Sequence, residues 1–256
     1  AAFAFIGIAF ILTFGDSIDF VYGGVLNGSY SEVQDIMLKF AYVFTTFGFG
    51  VKAAVFPFHR WLPTASVAPT PVTALLHAAA VVKAGAFAIL RVTYFSFGAE
   101  FLKGSFAQYT IMAAALVTIL FGSAMALKEQ HFKRRLAYPT VSNLSYIVFG
   151  ASLMNPAGLV GALTHMLVHG VVKITLFFCA GAVLYKTGME YVNDLRGMGK
   201  RMPVTFSCFV LASAALVGVP PLPGFLSKWN LSAAAIEVNH PLAIAGVAVL
   251  LVSAVL

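Results

Sequence analysis

The 256-residue chain is 60% hydrophobic and only 10% charged, with a mean hydropathy of +0.91. Ordinary soluble domains are about half apolar and a quarter charged, so a soluble domain of this size could not hide so much apolar surface. The composition predicts an all-α integral membrane protein. The net charge of +7 does not indicate a nucleic-acid partner, because the cations are scattered among hydrophobic segments and follow loops.

Apolar segments separated by short polar turns predict about eight transmembrane helices. They cover residues 1–14, 38–58, 72–97, 106–127, 139–153, 157–186, 203–231 and 241–256. The first and last segments are shorter than a full span of about 20 residues. The chain also begins without Met, so we expect it to be a piece of a longer protein.

Two of the predicted spans are interrupted by proline and each carries a lysine at the interruption. In "GFGVKAAVFPFHRWLP" Lys52 precedes the proline, and in "GVPPLPGFLSKWNLSAA" Lys228 follows three of them. Proline removes a backbone donor, and the freed groups are tolerated at membrane depth only where they line a cavity or are covered by protein. Such paired interruptions indicate a transporter built from inverted repeats. The helix-breaking residues are Pro57, Pro220, Pro221, Pro223 and Gly224.

Basic residues predict the orientation of the chain in a cell inner (cytoplasmic) membrane. Segments 128–138 and 186–201 are rich in Lys and Arg, whereas most of the acidic residues lie in the alternate loops. Positive charge accumulates on cytoplasmic loops. We therefore predict a multi-pass protein with basic loops 128–138 and 186–201 on the cytoplasmic side.

Four lysines lie within the predicted spans and more than one residue from either end: Lys52, Lys83, Lys173 and Lys228. A charged side chain at the bilayer centre costs about 2.5–3.5 kcal/mol or more, so such residues normally face a protein interior or a hydrated cavity. No Asp or Glu lies within a predicted span. The four lysines therefore predict an ion path without a carboxylate of its own.

Histidines accompany two of these lysines. His165, His169 and Lys173 recur every fourth residue, which places them in one stripe about 12 Å long on a helix and is typical of a proton wire. His77 and Lys83 are six residues apart and do not share a face, but could contact different neighbours along one path. The competing interpretation is that the histidines only hydrogen-bond neighbouring helices and that Lys173 extends to the surface.

Motifs for covalent or redox chemistry are not visible in the sequence. "GMGK" lacks the rest of a phosphate-binding loop, and Cys179 and Cys208 lie singly in apolar segments. We predict no catalytic residue, no cofactor and no metal site in this chain.

Four motifs occur in the order found in one known family. They are "GVKAAVFPFHRWLPTASVAPTPVTALLHAAAVVKAG", "FKRRLAYPTVSNLSYIVFG", "THMLVHGVVKITLFFCAGAVL" and "GVPPLPGFLSKWNL". Over nearly its whole length the chain resembles the antiporter-like subunits of respiratory complex I, membrane-bound hydrogenases and Mrp-type Na+/H+ antiporters. Any redox enzyme activity, such as NADH:quinone oxidoreduction, would belong to other subunits of such a complex.

The resemblance implies two inverted five-helix repeats, each with a discontinuous helix, and a polar line across the membrane plane. Residues 1–97 would be the C-terminal part of the first repeat and 98–256 the second repeat. Lys52 would be the lysine of the first broken helix, paired with a glutamate on a helix that would precede residue 1. Lys228 would be the terminal lysine of the second broken helix, exchanging protons with the outer side. The members between them would be His77, Lys83, His165, His169 and Lys173.

The leading hypothesis is that the chain belongs to a subunit that translocates protons and works with other membrane subunits in the lipid bilayer. Exchange of protons against Na+ is left open. A structural subunit whose polar line only holds helices together is one alternative. An independent carrier of a small solute, bound at the broken helices, is another.

Overall fold

The computed structural model describes residues 2–256, and the prediction of an all-α protein is confirmed. The described residues contain no β-sheet, and their strand-like pairing is limited to one bridge between His131 and Tyr191. The helices are α1 (Ala2–Phe14), α2 (Glu32–Gly50), α3 (Trp61–Ala65), α4 (Thr70–Ala74), α5 (Val81–Arg91), α6 (Ala99–Leu102), α7 (Phe106–Lys128), α8 (Phe132–Ser152), α9 (Pro156–Thr187), α10 (Met198–Arg201), α11 (Pro203–Val217), α12 (Pro223–Val238) and α13 (Pro241–Val255).

Three continuous helical segments are long and apolar enough to cross a membrane. They are Thr70–Phe97, Phe106–Lys128 and Pro156–Thr187. Helices α1, α11 and α13 are also apolar but shorter. A bilayer core of about 30 Å requires about 20 helical residues, so the length of these segments supports an integral membrane protein.

Helix α9 packs against α4, α8, α11 and α12. One large apolar cluster joins α2, α5, α7, α8, α12 and α13, and a smaller one joins α4, the start of α8, the second half of α9 and α11. Part of the α9 surface is therefore enclosed by protein, and His165, His169 and Lys173 lie on this enclosed part.

The two predicted breaks are present, and side chains satisfy backbone groups in them. In the first, residues 51–60, the Val51 carbonyl accepts a hydrogen bond from Trp61 Nε1 at 2.8 Å, and the Phe56 N–H donates to Thr118 Oγ1 at 3.0 Å. The second break, residues 218–222, separates α11 from α12. Buried backbone groups must be paired, so these contacts make an interrupted helix tolerable inside the bundle.

Helix α2 begins at Glu32, six residues before the predicted start, and ends at Gly50 before the break. Ser31 and Gln34 form a capping box, in which the Ser31 hydroxyl accepts from the Gln34 N–H and the Gln34 side chain accepts from the Ser31 N–H. Hydrophobicity alone missed this start, because the first turn of the helix is polar.

Helix α8 begins at Phe132 and continues through Pro139, so the prediction of a loop over 128–138 was wrong. Phe132 and Leu136 are one helical turn apart, and both are buried in the smaller cluster. Their burial stabilises the helix through the proline, and Lys133 therefore lies in the first helical turn and not in a loop.

The predicted span 72–97 is helical from Thr70 but not uniformly so. Two π-helical turns, Leu75–Ala79 and Val92–Phe97, flank α5. A π turn holds an extra residue and shifts every later side chain around the axis. The rotation expected between His77 and Lys83 from an ideal helix therefore does not apply.

Candidate functional site

The three titratable residues of α9 form a buried stripe. His165, His169 and Lys173 are each at least 98% buried, and the two imidazole rings lie 6.1 Å apart. The expectation that these three residues share one face of a helix is met. The alternative in which Lys173 reaches the surface does not fit a side chain with 0% exposure.

His165 is held by two side chains that we did not predict. Its Nδ1 lies 2.9 Å from Ser227 Oγ on α12, and its Nε2 lies 3.1 Å from Asn143 Oδ1 on α8. Both partners are polar residues within helices, and this is the feature of the sequence that could have indicated them. Their contact with His165 depends on how three helices pack, and one sequence does not contain that information.

Lys173 faces a cavity of about 450 Å³ that Lys228 also lines. Its ammonium donates to the Leu136 carbonyl on α8 at 2.7 Å, in the turn before Pro139. A lysine ammonium has three N–H donors, and this bond uses one of them. The other two remain free to bind water within the cavity. The cavity thereby links two of the lysines singled out by the sequence.

His77 and His169 are buried imidazoles whose four ring nitrogens have no hydrogen-bond partner among the described residues. The His77 ring packs on Phe177 of α9 at 4.9 Å. His169 lies one helical turn from both His165 and Lys173, and its neighbour Gly170 faces Lys83, so it lies centrally in the group. Buried polar groups without a protein partner usually bind ordered water.

Lys83 points towards α9. Its ammonium donates to the Ala78 carbonyl, which belongs to the first π turn. Gly170, one residue after His169, faces it closely, since a Cβ at this position would lie 2.6 Å from Lys83 Nζ. The absence of a side chain at Gly170 is therefore what admits the ammonium to this space.

Lys228 is half-buried and lies across the second break. Its ammonium donates to the Val217 carbonyl at the end of α11 at 2.9 Å. It also lies 5.3 Å from the centre of the Tyr146 ring, a cation–π contact, and Tyr146 in turn packs on His165. Tyr146 is the third residue of this site that sequence reasoning missed.

Lys52 departs from the expectation that all four lysines face an interior. It lies within the irregular segment 51–60 instead of in a helix, and its side chain is exposed in the described chain. Its backbone packs on Gly85 of α5, where a Cβ would lie 2.8 Å from Lys52 Cβ. The break therefore lies beside the helix that carries Lys83, while the Lys52 ammonium is not part of the buried group.

The structure thus brings together six of the seven predicted residues from helix 70–97, α9 and α12, namely His77, Lys83, His165, His169, Lys173 and Lys228. Amines and imidazoles can both accept and release protons, and the group contains no carboxylate. In the part of the chain described, no three His, Cys, Asp or Glu side chains are arranged to hold a metal ion. The chemistry available to this group is therefore proton exchange.

We expect Asn143→Leu to lower the free energy of unfolding by about 1–3 kcal/mol, because it leaves His165 Nε2 buried without a partner. Thermal unfolding in detergent measures the change. Asn193→Leu, at an exposed position, is the matched control and should have little effect. Equal stability of both variants would contradict the contact with His165.

The chain is similar in sequence to known membrane proteins. The family model for NADH:quinone oxidoreductase/Mrp antiporter transmembrane regions matches residues 2–254. The chain is 39% identical over 258 residues to NADH-quinone oxidoreductase subunit N of Desulforudis audaxviator, covering 100% of this chain and 50% of that protein. It is 36% identical to Na+/H+ antiporter subunit A1 of Staphylococcus haemolyticus, covering 91% of this chain and 30% of that protein.

Two solved structures share the fold. The membrane-bound sulfane sulfur reductase, an archaeal respiratory membrane complex, contains a chain with a TM-score of 0.84 and 27% identity, over 99% of this chain and 51% of that one. The Mrp complex from Dietzia sp. contains one with a TM-score of 0.81 and 26% identity, over 99% and 47%. The chain spans about half the length of these relatives, or less. It belongs to the family of NADH:quinone oxidoreductase and Mrp antiporter membrane subunits.

Proposed function

We propose that this chain forms a proton-translocating part of a membrane subunit that works within a larger complex of the complex I, hydrogenase or Mrp type. The observation that carries the proposal is a group of six amines and imidazoles on three helical segments, of which five are buried and Lys228 is half-buried. Ionisable residues at this depth are costly and are normally kept where ions move. Exchange of protons against Na+ is a second form of the same function, favoured by the name of the Staphylococcus relative.

Proton transfer along the group would use water and mutual electrostatics. The unpartnered nitrogens of His77 and His169 provide sites for water between Lys83 and Lys173. The cavity of about 450 Å³ would then connect Lys173 to Lys228. A charge that arrives at one amine changes the proton affinity of the next. Electrostatic coupling and proton transfer could therefore use the same line of lysines and histidines.

We further propose a topology of about eight spans, with 1–97 completing one inverted repeat and 98–256 forming the second. The two breaks, each beside a lysine, support this division. Basic segments 128–138 and 186–201 would face the cytoplasm. Hydrogen bonds from Phe132 N to the Glu190 carbonyl at 2.8 Å and from Val192 N to the Gln130 carbonyl at 3.0 Å support one common side for both segments.

Lys228→Ala tests the proposal in the gene product that contains this chain, assembled with its native partners in membrane vesicles. We expect proton uptake to fall by about tenfold or more while the complex assembles, because a positioned proton-transfer group contributes at least that much. Lys186→Ala, an exposed lysine at the end of α9, is the control and should preserve uptake.

Other outcomes would favour the alternative functions. Uptake and assembly both preserved in Lys228→Ala would contradict proton translocation through this line. Loss of assembly alone, with normal uptake in the complexes that do form, would favour a structural role. Specific uptake of a solute by the purified subunit alone would favour an independent carrier at the helix breaks.

A further inference from the structure

A groove lies between α4 and the second half of α9, at the end of the bundle that carries the basic segments. It has a volume of about 610 Å³, and we call it the Lys133 groove. Its walls are mostly apolar and its lining includes Pro69, Thr70, Lys133, Phe178, Gly181 and Tyr185. None of these residues belongs to the buried line of lysines and histidines, so the groove is a separate feature of the surface.

Lys133 is the charged member of the groove and is unusually enclosed for a lysine. It is 6% exposed, and its ammonium donates to the Ala68 carbonyl at 3.0 Å. Within residues 2–256 no other hydrogen bond or ion pair of this ammonium is found. Two of its three N–H donors therefore remain available.

The nearby carboxylate of Glu190 does not complete the site. Its Oε2 lies 3.8 Å from His131 Nε2, and it makes no ion pair with Lys133 in the described part of the chain. Lys128, Arg134 and Arg135 on the same end add further positive charge. A buried ammonium with free donors and an excess of neighbouring cations favours an anionic ligand from outside the chain.

The depth of the groove indicates what kind of anion fits. Tyr185 is 95% exposed two residues before α9 ends at Thr187, and tyrosine is enriched where the bilayer meets water. Phe178, also exposed, lies about 10 Å deeper along the same helix. The groove therefore offers a cation at headgroup level and an apolar wall that continues towards the bilayer centre.

The base of the groove is formed by close packing of two helices. A Cβ at Gly181 of α9 would lie 2.4 Å from Thr70 Cγ2, so only glycine allows α4 to approach here. The groove is consequently a gap beside closely packed helices, and Lys133 of α8 lines it. Basic pockets of this kind, between transmembrane helices, bind phospholipid headgroups.

We propose that the Lys133 groove binds an anionic phospholipid, with the headgroup phosphate at the Lys133 ammonium and an acyl chain along Phe178 and Tyr185. The ligand would bridge α4, α8 and α9. It would also contact Pro69 and Thr70, where the helix that carries His77 and Lys83 begins.

The test compares lipid retention by the complete, assembled protein in nanodiscs that contain phosphatidylcholine with a minor fraction of phosphatidylglycerol. Lipid retained after transfer to detergent is identified by native mass spectrometry. We expect selective retention of phosphatidylglycerol and about tenfold weaker retention in Lys133→Gln, because one charge-assisted contact is lost. Lys186→Gln, an exposed lysine one residue after Tyr185, should retain the lipid normally.

A second variant tests the groove without altering Lys133, in case Lys133→Gln does not fold. Ala182→Phe fills an exposed part of the groove wall without changing Lys133, and should reduce retention as strongly. Val160→Phe, exposed at the opposite end of α9, should not. Unchanged retention in Ala182→Phe or in folded Lys133→Gln, or equal retention of both lipids, would overturn the proposal. Full displacement of the lipid by inorganic phosphate would also overturn it, in favour of a site for a free anion.

Discussion

Lys173→Met is expected to reduce proton translocation by about 100-fold, the lower end of what a positioned proton-transfer group contributes. Lys173 is completely buried, interacts with His77 and His169, and lines the cavity shared with Lys228. Methionine has a similar length and fills the same space, but neither carries nor exchanges a proton. The measurement is proton uptake by vesicles that contain the assembled complex.

The same variant distinguishes an effect on proton transport from an effect on protein stability. Removing a buried charge while keeping the volume is often neutral or stabilising. We therefore expect Lys173→Met to unfold at the same temperature as the unaltered protein, or higher, although its proton translocation is reduced. Lys128→Met, an exposed lysine at the end of α7, is the control for the loss of one positive charge. Normal uptake in Lys173→Met would remove Lys173 from the proton path.

Gly224→Ala is expected to destabilise the protein by about 1–3 kcal/mol and to prevent correct closure of the second break. Gly224 lies in the first turn of α12, immediately after the break, and its Cα packs directly on the backbone of α11. A Cβ here would lie 1.7 Å from the Ala215 carbonyl oxygen and 2.8 Å from its carbon, so the two helices must separate. That movement would also displace Ser227 from His165 and Lys228 from Val217.

The matched control for this variant is Gly199→Ala, because a Cβ at Gly199 meets no atom within 4 Å. Thermal unfolding and proton uptake should both decline in Gly224→Ala and remain unchanged in Gly199→Ala. If Gly224→Ala unfolds at the normal temperature, then α11 and α12 do not pack as closely as described.

The membrane class, the α9 stripe and the two breaks were predictable because each depends on local chemistry. Apolar content decides whether a chain enters a bilayer, and a four-residue spacing decides which side chains share a helical face. Proline decides where the backbone ladder is interrupted. His165, His169 and Lys173 could therefore be placed on one stripe, and Pro57 and Pro220 in irregular segments, before any packing was known.

Local patterns were less reliable where packing overrides them. The start of α8 was misplaced because Lys133 and its basic neighbours indicate a loop, whereas burial of Phe132 and Leu136 extends the helix. A π turn lies between His77 and Lys83, and neither residue spacing nor composition predicted it. Neither feature is determined by composition or spacing.

The sequence by itself determined the bilayer as the environment, the helical class and most of the titratable residues, because transfer free energies and helix periodicity act residue by residue. Tertiary structure alone decided which groups face one another: Asn143 and Ser227 against His165, Tyr146 against Lys228, and Lys52 exposed in the described chain. Such contacts join residues far apart in the chain, and they follow from the way whole helices fit together, which no local pattern encodes.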